Sequence, residues 1–117
     1  MRKINTYITE KLKLNKDTKD ISFDDYHKET YNLVKEFFTE NNYDTRSDLK
    51  FNLIVIKRDK EFRVDMYIGD RLYKKIKNVR EQITNWLSEH DIKNYSCGKP
   101  YKFGSGPWQF SINFYYE

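Results

Sequence analysis

Three segments of the chain place apolar side chains at every second position, which is the period of a β-strand with one buried face. The segments span residues 49–55, 62–68 and 108–116. Their apolar positions are Leu49, Phe51, Leu53, Val55, Phe62, Val64, Met66, Ile68, Trp108, Phe110, Ile112, Phe114 and Tyr116. Such strands bury their apolar side by pairing into a sheet that packs against another layer. We therefore expect an antiparallel sheet with one buried face.

The first two segments predict a β-hairpin. A turn centred on residues 59–60 places Val55 opposite Val64, and Leu53 then lies opposite Met66. All apolar side chains of the pair share one face in this register. A slip of one residue would turn the apolar set of one strand toward solvent, so the loop should contain an even number of residues.

The segment after residue 20 carries helix signals. Ser22 stands as the N-cap and Asp25 as the third helical residue of a capping box. One apolar face then extends from Tyr26 to Phe38, and Asn41-Asn42 predicts the end of the helix.

Residues 69–90 allow two interpretations. In the first they form one long helix, because apolar residues recur at helical spacing throughout. In the second, Gly69-Asp70 is a hairpin turn, residues 71–77 form a third strand, and Asn78 caps a shorter helix with Glu81 at its third position. We prefer the second, since it explains both the glycine and the Asn-x-x-Glu pattern.

The strand at residues 108–116 is expected to pair with part of residues 92–103, and a short amphipathic helix is predicted over residues 4–14. The predicted order of elements is α-α-β-β-β-α-β-β. The chain is expected to be a single α+β domain, residues 1–117, with an antiparallel sheet packed against two or three helices. Residues 1–19 are basic and are expected to form a helical arm that is loosely attached.

Composition decides whether such a chain folds. The mean hydropathy of −0.97 is typical of disordered proteins, but 17% of the 117 residues are aromatic and none is alanine. Disordered segments are poor in aromatic residues, and a few large rings per element can fill a small core. The abundance of Lys, Asn, Ile, Tyr and Phe also indicates an AT-rich coding genome, as in low-GC bacteria and their phages.

The only cysteine is Cys97, so an internal disulfide is excluded. The N-terminal residues lack the apolar core of a signal peptide. No apolar run approaches the roughly 20 residues that span a bilayer. We expect a cytoplasmic protein, located in the host cytoplasm if a phage encodes it, with no membrane partner.

The net charge of +4 is unevenly distributed. Residues 1–19 and 45–117 are basic, whereas residues 20–44 are acidic. An acidic segment between basic ones differs from the uniformly basic surface that is typical of nucleic-acid-binding domains.

Residue types that carry catalysis are few. His27 and His90 are the only histidines, and neither stands at a metal-ligand spacing. Both are interpreted as surface or cap residues, and no metal or cofactor is expected. An enzyme that pairs Cys97 with a histidine or a carboxylate stays an alternative, because such pairs form in space and not in sequence.

Lysines and aromatic residues are interleaved near the C-terminus, between residues 93 and 103. Proteins that bind single-stranded nucleic acid use this combination to contact phosphates and bases. A second basic cluster spans residues 74–80. The candidate binding residues are Lys74, Lys75, Lys77, Lys93, Tyr95, Lys99, Tyr101, Lys102 and Trp108.

Two stretches resemble known families. The predicted α-β-β-β-α order of residues 23–90 resembles the double-stranded-RNA-binding domain, but the Gly-Pro-x-His and Lys-Lys-x-x-Lys motifs of that family are missing. The spacing that carries this resemblance is Phe62, Val64, Met66, Ile68 and Gly69. Residues 4–17, INTYITEKLKLNKD, are similar to the start of small accessory proteins encoded by phages of AT-rich gut bacteria. The first resemblance implies only a shared order of elements, and the second implies only origin and size class.

These observations predict a non-catalytic binding or accessory protein that acts on a host or viral protein. An inhibitor of host defence and an accessory of the virion or of replication both fit this class. Tyrosine and tryptophan are abundant, and both are favoured at protein interfaces. Nucleic-acid binding through the lysines and aromatic residues is the first alternative, and a small enzyme that uses Cys97 is the second.

Overall fold

The computed structural model describes residues 21–43 and 48–116. Within them, three α-helices and a five-stranded antiparallel sheet form one α+β domain, which confirms the predicted fold class. The elements are α1 (Phe23–Glu40), β1 (Leu49–Ile56), β2 (Glu61–Ile68), α2 (Asp70–Lys75), α3 (Val79–Glu89), β3 (Tyr95–Cys97), β4 (Tyr101–Lys102) and β5 (Trp108–Tyr115). The predicted helix over residues 4–14 and the basic arm lie outside the described residues.

Helix α1 begins and ends where the sequence predicts. The Ser22 hydroxyl accepts a hydrogen bond from the Asp25 N–H at 3.1 Å, which is the N-cap interaction. The chain leaves the helix through Asn42, whose φ of 58° lies in the left-handed region that often follows a helix end. The predicted apolar face, from Tyr26 to Phe38, is buried.

The β1–β2 hairpin has the predicted faces but a different register. Val55 pairs with Phe62 and not with Val64, which is a shift of two residues. The shift arises because residues 57–59 form a 3₁₀ turn and Lys60 adopts a φ of 54°, so the loop contains four residues instead of two. A two-residue shift preserves the side-chain faces, and the even-numbered loop is therefore confirmed.

The C-terminal strand β5 lies inside the sheet. It pairs with β2 from Trp108 to Tyr115, and both β3 and β4 pair with its other edge. The strand order is β1-β2-β5-β3, with β4 beside β3 along β5. The predicted pairing with part of residues 92–103 is thus confirmed.

Residues 71–77 do not form the preferred third strand. They belong largely to helix α2, and an extended Ile76 and a left-handed Asn78 separate α2 from α3, so a single long helix is also absent. The α-β-β-β-α order expected for residues 23–90 is therefore wrong. The physical reason is that β5 occupies the free edge of β2 along its whole length, which leaves no edge for a hairpin partner.

The Asn-x-x-Glu pattern marks the start of α3, but not through the expected cap. The Asn78 side chain makes no hydrogen bond to the helix backbone. Its Nδ2 donates instead to Oε1 of Glu81 at 3.1 Å.

The core lies between the helices and one face of the sheet. Trp86 Nε1 donates to the Leu33 carbonyl at 2.9 Å, and this bond joins α3 to α1. The strand residues of the core cluster come from one face of the sheet only. Its fully buried rings are Phe38, Phe62, Phe110 and Phe114. Large rings thus fill the core of a chain without alanine.

Tyr26 should make stability depend on pH in alkaline solution. Burial raises the pKa of Tyr26 from 10.0 to about 12, with a smaller opposing effect of a hydrogen bond with Thr30. The unfolded chain therefore loses its tyrosine proton first as the pH rises. The contribution of Tyr26 to the free energy of unfolding is complete below pH 10 and is lost as the pH rises to about 12, which amounts to roughly 3 kcal/mol.

Urea denaturation between about pH 9 and about pH 12 measures this effect. The loss of unfolding free energy should be clearly smaller in Tyr26→Phe than in the wild type. An equal loss in both proteins would contradict the assignment to Tyr26.

Candidate binding site

Helix α2 and the β4–β5 hairpin meet at one end of the sheet, where Asp70 joins them. One oxygen of Asp70, Oδ1, accepts from Lys102 Nζ at 3.2 Å and from Trp108 Nε1 at 3.0 Å. Its other oxygen, Oδ2, lies 3.6 Å from Lys74 Nζ. Asp70 therefore links its own helix to β4 and to the first residue of β5.

Aromatic stacking adds a second link between the same elements. The rings of Tyr73 and Trp108 are nearly parallel, at 7°, with centroids 4.0 Å apart. The Lys102 ammonium lies 5.8 Å from the centroid of the Trp108 ring, within cation–π range. We call this group the Asp70 platform; its members are Asp70, Tyr73, Lys74, Lys102 and Trp108.

The platform has a defined charge state. The hydrogen bond from Trp108, followed by that from Lys102, lowers the pKa of Asp70, because both donors favour the ionised carboxyl group. Asp70 is thus an anion at neutral pH, and it compensates part of the charge of Lys74 and Lys102.

Two aromatic side chains project beside the platform. Phe103 is 73% exposed and Tyr101 is 44% exposed, and their rings contact each other edge to face at 5.2 Å. Gly104 follows with a φ of 55°, and the Gly106 N–H donates to the Phe103 carbonyl at 2.9 Å, which closes a tight turn. We call Tyr101 and Phe103 the aromatic pair. Exposed rings held on an ordered turn are typical of contact sites.

A groove of about 320 Å³ lies next to the platform, between the start of β1, the end of β2 and residues 105–107. Its charged lining residues are Asp48, Lys50 and Asp70. The Asp48 carbonyl accepts from the Gly69 N–H at 2.7 Å, and a Cβ at residue 69 would lie 3.0 Å from Asp48 Oδ1. The close approach of these two segments therefore favours glycine at this position.

The structure brings part of the predicted binding set together. Lys74, Lys102 and Trp108 meet at Asp70, and Tyr101 adjoins them on β4. Lys74 comes from the predicted cluster at residues 74–80, Tyr101 and Lys102 come from the stretch at residues 93–103, and Trp108 follows that stretch in the sequence.

Other members of the predicted set lie elsewhere. Tyr95 pairs with Phe114, six residues along β5 from Trp108, which places it about 20 Å from the platform. Its ring packs at 6.0 Å from that of Phe114 and belongs to the margin of the core. Lys93 lies two residues before this strand and is exposed.

Three further predicted lysines are exposed at the ends of elements or between them. Lys75 and Lys77 lie at the junction of α2 and α3, and Lys99 lies between β3 and β4. Arg80 Nη2 donates to the Cys97 carbonyl at 3.3 Å, which brings the start of α3 beside the end of β3. The predicted basic residues therefore extend along one sheet edge instead of forming a single patch.

Sequence reasoning did not place Asp70, Tyr73 and Phe103 in the site. Asp70 was assigned to a hairpin turn, although an acidic residue after glycine also fits the first turn of a helix. Phe103 belongs to the interleaved stretch near the C-terminus, and its neighbour Gly104 was the available signal for an exposed turn.

The residues considered for catalysis have other neighbours. His27 is buried, contrary to the surface position expected for it, because the rings of Phe23 and Phe62 pack on it at 5.3 and 5.9 Å. His90 is the C-cap of α3, as expected, and its Nδ1 lies 2.9 Å from the Trp86 carbonyl oxygen.

Cys97 pairs with Ile112 on β5 and packs partly buried against the core. Within residues 21–43 and 48–116, no group of three or more histidine, cysteine, aspartate or glutamate side chains is arranged to hold a metal ion.

No protein-family model matches the chain, and comparison with curated proteins and with solved structures found no match either. Among the described helices, none has the length and apolar character that crossing a bilayer requires.

Proposed function

We propose that this chain is a non-catalytic binding protein that recognises another protein through the aromatic pair and the adjoining groove. The observation that carries this proposal is the exposure of Phe103, at 73%, on a turn anchored to the Asp70 platform. Interface energy is concentrated in a few aromatic anchors, and an anchor that is already ordered loses little conformational entropy on binding.

The charges around the aromatic pair favour a protein partner over a nucleic acid. Lys102 and Lys74 are engaged by Asp70. Asp48 and Asp70 line the adjoining groove together with a single cation, Lys50, so among its lining residues the groove lacks the excess of positive charge that attracts phosphate groups. A protein surface that offers an apolar side chain to the rings and polar groups to the groove complements this arrangement.

Nucleic-acid binding is the second candidate, and one observation favours it. Lys99 is exposed two residues before Tyr101, and the described residues provide no ion-pair partner for it. Exposed rings beside a free lysine can stack on bases and contact phosphate in single strands.

The natural partner in this proposal is a protein of a low-GC bacterium or of its phage. The composition and the N-terminal resemblance motivate this choice. An inhibitor of host defence and an accessory of the virion or of replication are the two roles that such a small binding protein would serve.

Replacing Phe103 by alanine should weaken partner binding at least about 30-fold, which corresponds to a loss of about 2 kcal/mol. The experiment is a pull-down of the tagged protein from lysate of a low-GC bacterium, with and without nuclease, followed by titration of the captured protein. Tyr115→Ala is the matched control, because Tyr115 is 39% exposed on a different part of the sheet.

A captured protein that binds wild type and Tyr115→Ala alike, survives nuclease and is lost with Phe103→Ala supports the proposal. Equal capture by Phe103→Ala contradicts it. Loss of all captured protein after nuclease, together with salt-dependent binding of a labelled single-stranded oligonucleotide, would establish the second candidate instead.

A further inference from the structure

Strand β1 forms a long edge of the sheet. It pairs with β2 without interruption from Leu49 to Ile56, and no described residue pairs with its other side. Natural proteins protect such edges with proline, bulges, short strands or several charges. Strand β1 has eight residues, no proline and a single charged residue, Lys50.

The direction of the backbone groups in β1 follows from one hydrogen bond. The Gly69 N–H donates to the Asp48 carbonyl, immediately before the strand. Backbone groups alternate in direction along a strand, so even-numbered residues of β1 face β2. The N–H and C=O groups of the odd-numbered residues therefore point away from the sheet; these residues are Leu49, Phe51, Leu53 and Val55.

The side chains of β1 are apolar on both faces of this edge. The odd-numbered residues pack against the margin of the core and stay partly exposed. On the opposite face, Ile54 is partly exposed and Ile56 is exposed. A strand edge of this composition that no residue of 21–43 or 48–116 covers is suited to pair with another apolar strand.

We propose that β1 pairs with β1 of a second copy of this chain, antiparallel, about a two-fold axis at Asn52. In this register Leu49 pairs with Val55 of the second copy, and Phe51 pairs with Leu53 of the second copy. All outward-facing backbone groups of both strands are then used, in about eight hydrogen bonds. The two sheets become one continuous sheet.

Two features favour a second copy of this chain as the partner of the β1 edge: the charges that face each other across the axis, and the closure of the assembly at two copies. Lys50 faces Ile54 of the second copy, so no like charges lie opposite each other. Any other register with the same faces leaves some outward groups unpaired. The opposite edge of the sheet is divided between the short strands β3 and β4, so the two-fold pairing closes and does not continue into a fibre.

A disulfide across the axis tests the register. Asn52 faces Asn52 of the second copy as a non-hydrogen-bonded pair, with Cα atoms about 4.5 Å apart, which suits a disulfide. Asn52→Cys in a Cys97→Ser background should form a covalent dimer rapidly under mild oxidation. The control Asn85→Cys, in the same background and on the exposed side of α3, should form no covalent dimer under the same conditions.

Sedimentation velocity over a range of concentrations tests the pairing without a crosslink. The wild type should show a monomer–dimer equilibrium, and Asn52→Lys should raise its dissociation constant at least about tenfold, since it places two ammonium groups across the axis. Asn85→Lys should leave the constant unchanged, and so should Phe103→Ala, which separates this inference from the proposed function.

A wild type that stays monomeric up to about 1 mM would overturn the inference. Its dissociation constant would then lie above about 1 mM, which is too weak for a specific dimer. A dimer that neither responds to Asn52→Lys nor crosslinks through Asn52→Cys would place the interface elsewhere and would overturn it as well.

Discussion

Replacing Phe62 by alanine is expected to lower the free energy of unfolding by about 3–5 kcal/mol. The side chain is 1% exposed. Its ring stacks on that of Phe114 at 4.9 Å and meets the ring of Tyr26 at 5.8 Å. It therefore joins β2 to β5 and the sheet to α1, and its removal leaves a cavity that these fixed neighbours cannot fill.

The loss of unfolding free energy in Phe62→Ala can be compared with that in a variant of an exposed phenylalanine, Phe103→Ala. Domains of this size are stable by about 5–15 kcal/mol in total, so Phe62→Ala removes a large share. Phe103→Ala, at a residue that is 73% exposed, should change stability by less than about 0.5 kcal/mol. Urea denaturation of both variants measures the contrast. A loss below about 1.5 kcal/mol for Phe62→Ala would show that the core relaxes around this position.

Replacing Asp65 by alanine should cost about 2–4 kcal/mol. Asp65 lies on the sheet face opposite the helices, yet its side chain is only 2% exposed. Its carboxylate accepts from Arg63 Nε at 2.9 Å, from Arg63 Nη2 at 3.2 Å and from Ser111 Oγ at 2.6 Å. Removing the carboxylate leaves these donors without this acceptor and leaves a cavity at a side chain that is 2% exposed, although Arg63, at 43% exposure, can still reach water.

Two control variants test whether the effect of Asp65→Ala comes from the buried network. Asp59→Ala removes an exposed carboxylate that lies 3.6 Å from Arg58, and exposed ion pairs contribute at most about 1 kcal/mol. Asp65→Asn keeps the shape but loses the charge, so it should fall between the wild type and Asp65→Ala. Equal effects of Asp65→Ala and Asp59→Ala in urea denaturation would show that the buried network adds nothing to stability.

The aromatic pair and the self-pairing strand lie at opposite edges of the sheet, although the groove beside the aromatic pair extends to Leu49 and Lys50 at the start of β1. The aromatic pair adjoins β4, and the self-pairing strand is β1. A dimer formed through β1 would therefore present two aromatic pairs at its outer ends, and a partner with repeated sites would bind such a dimer with increased avidity. Phe103→Ala should abolish this binding and leave the dimer intact.

Local patterns in the sequence predicted much of the fold. The N-cap at Ser22 and the exit at Asn42 depend on bonds within a few residues, so their positions were predictable. The alternation in β1, β2 and β5 defined which side of each strand is buried, because burial of one face requires a period of two. The α+β class follows from these elements alone.

The candidate site was predictable only in part. Lys74, Lys102 and Trp108 were recognised as basic and aromatic residues of the kind that bind. Their common partner, Asp70, was not recognised, since its hydrogen bonds reach residues 32 and 38 positions away. The separation of Tyr95 from this group likewise depends on the register of β3 along β5.

The sequence by itself determined the faces of the strands, the limits of α1 and the aromatic core, because each depends on side-chain chemistry repeated at short range. The structure showed the hairpin register, which follows from the local 3₁₀ turn at residues 57–59. The tertiary structure decided the helical state of residues 70–75 and the assembly of the Asp70 platform. In both cases the distant strand β5 made the difference, because it occupies the edge of β2 and carries Trp108 to Asp70. Long-range pairing overrides local propensity wherever a segment is compatible with two structures.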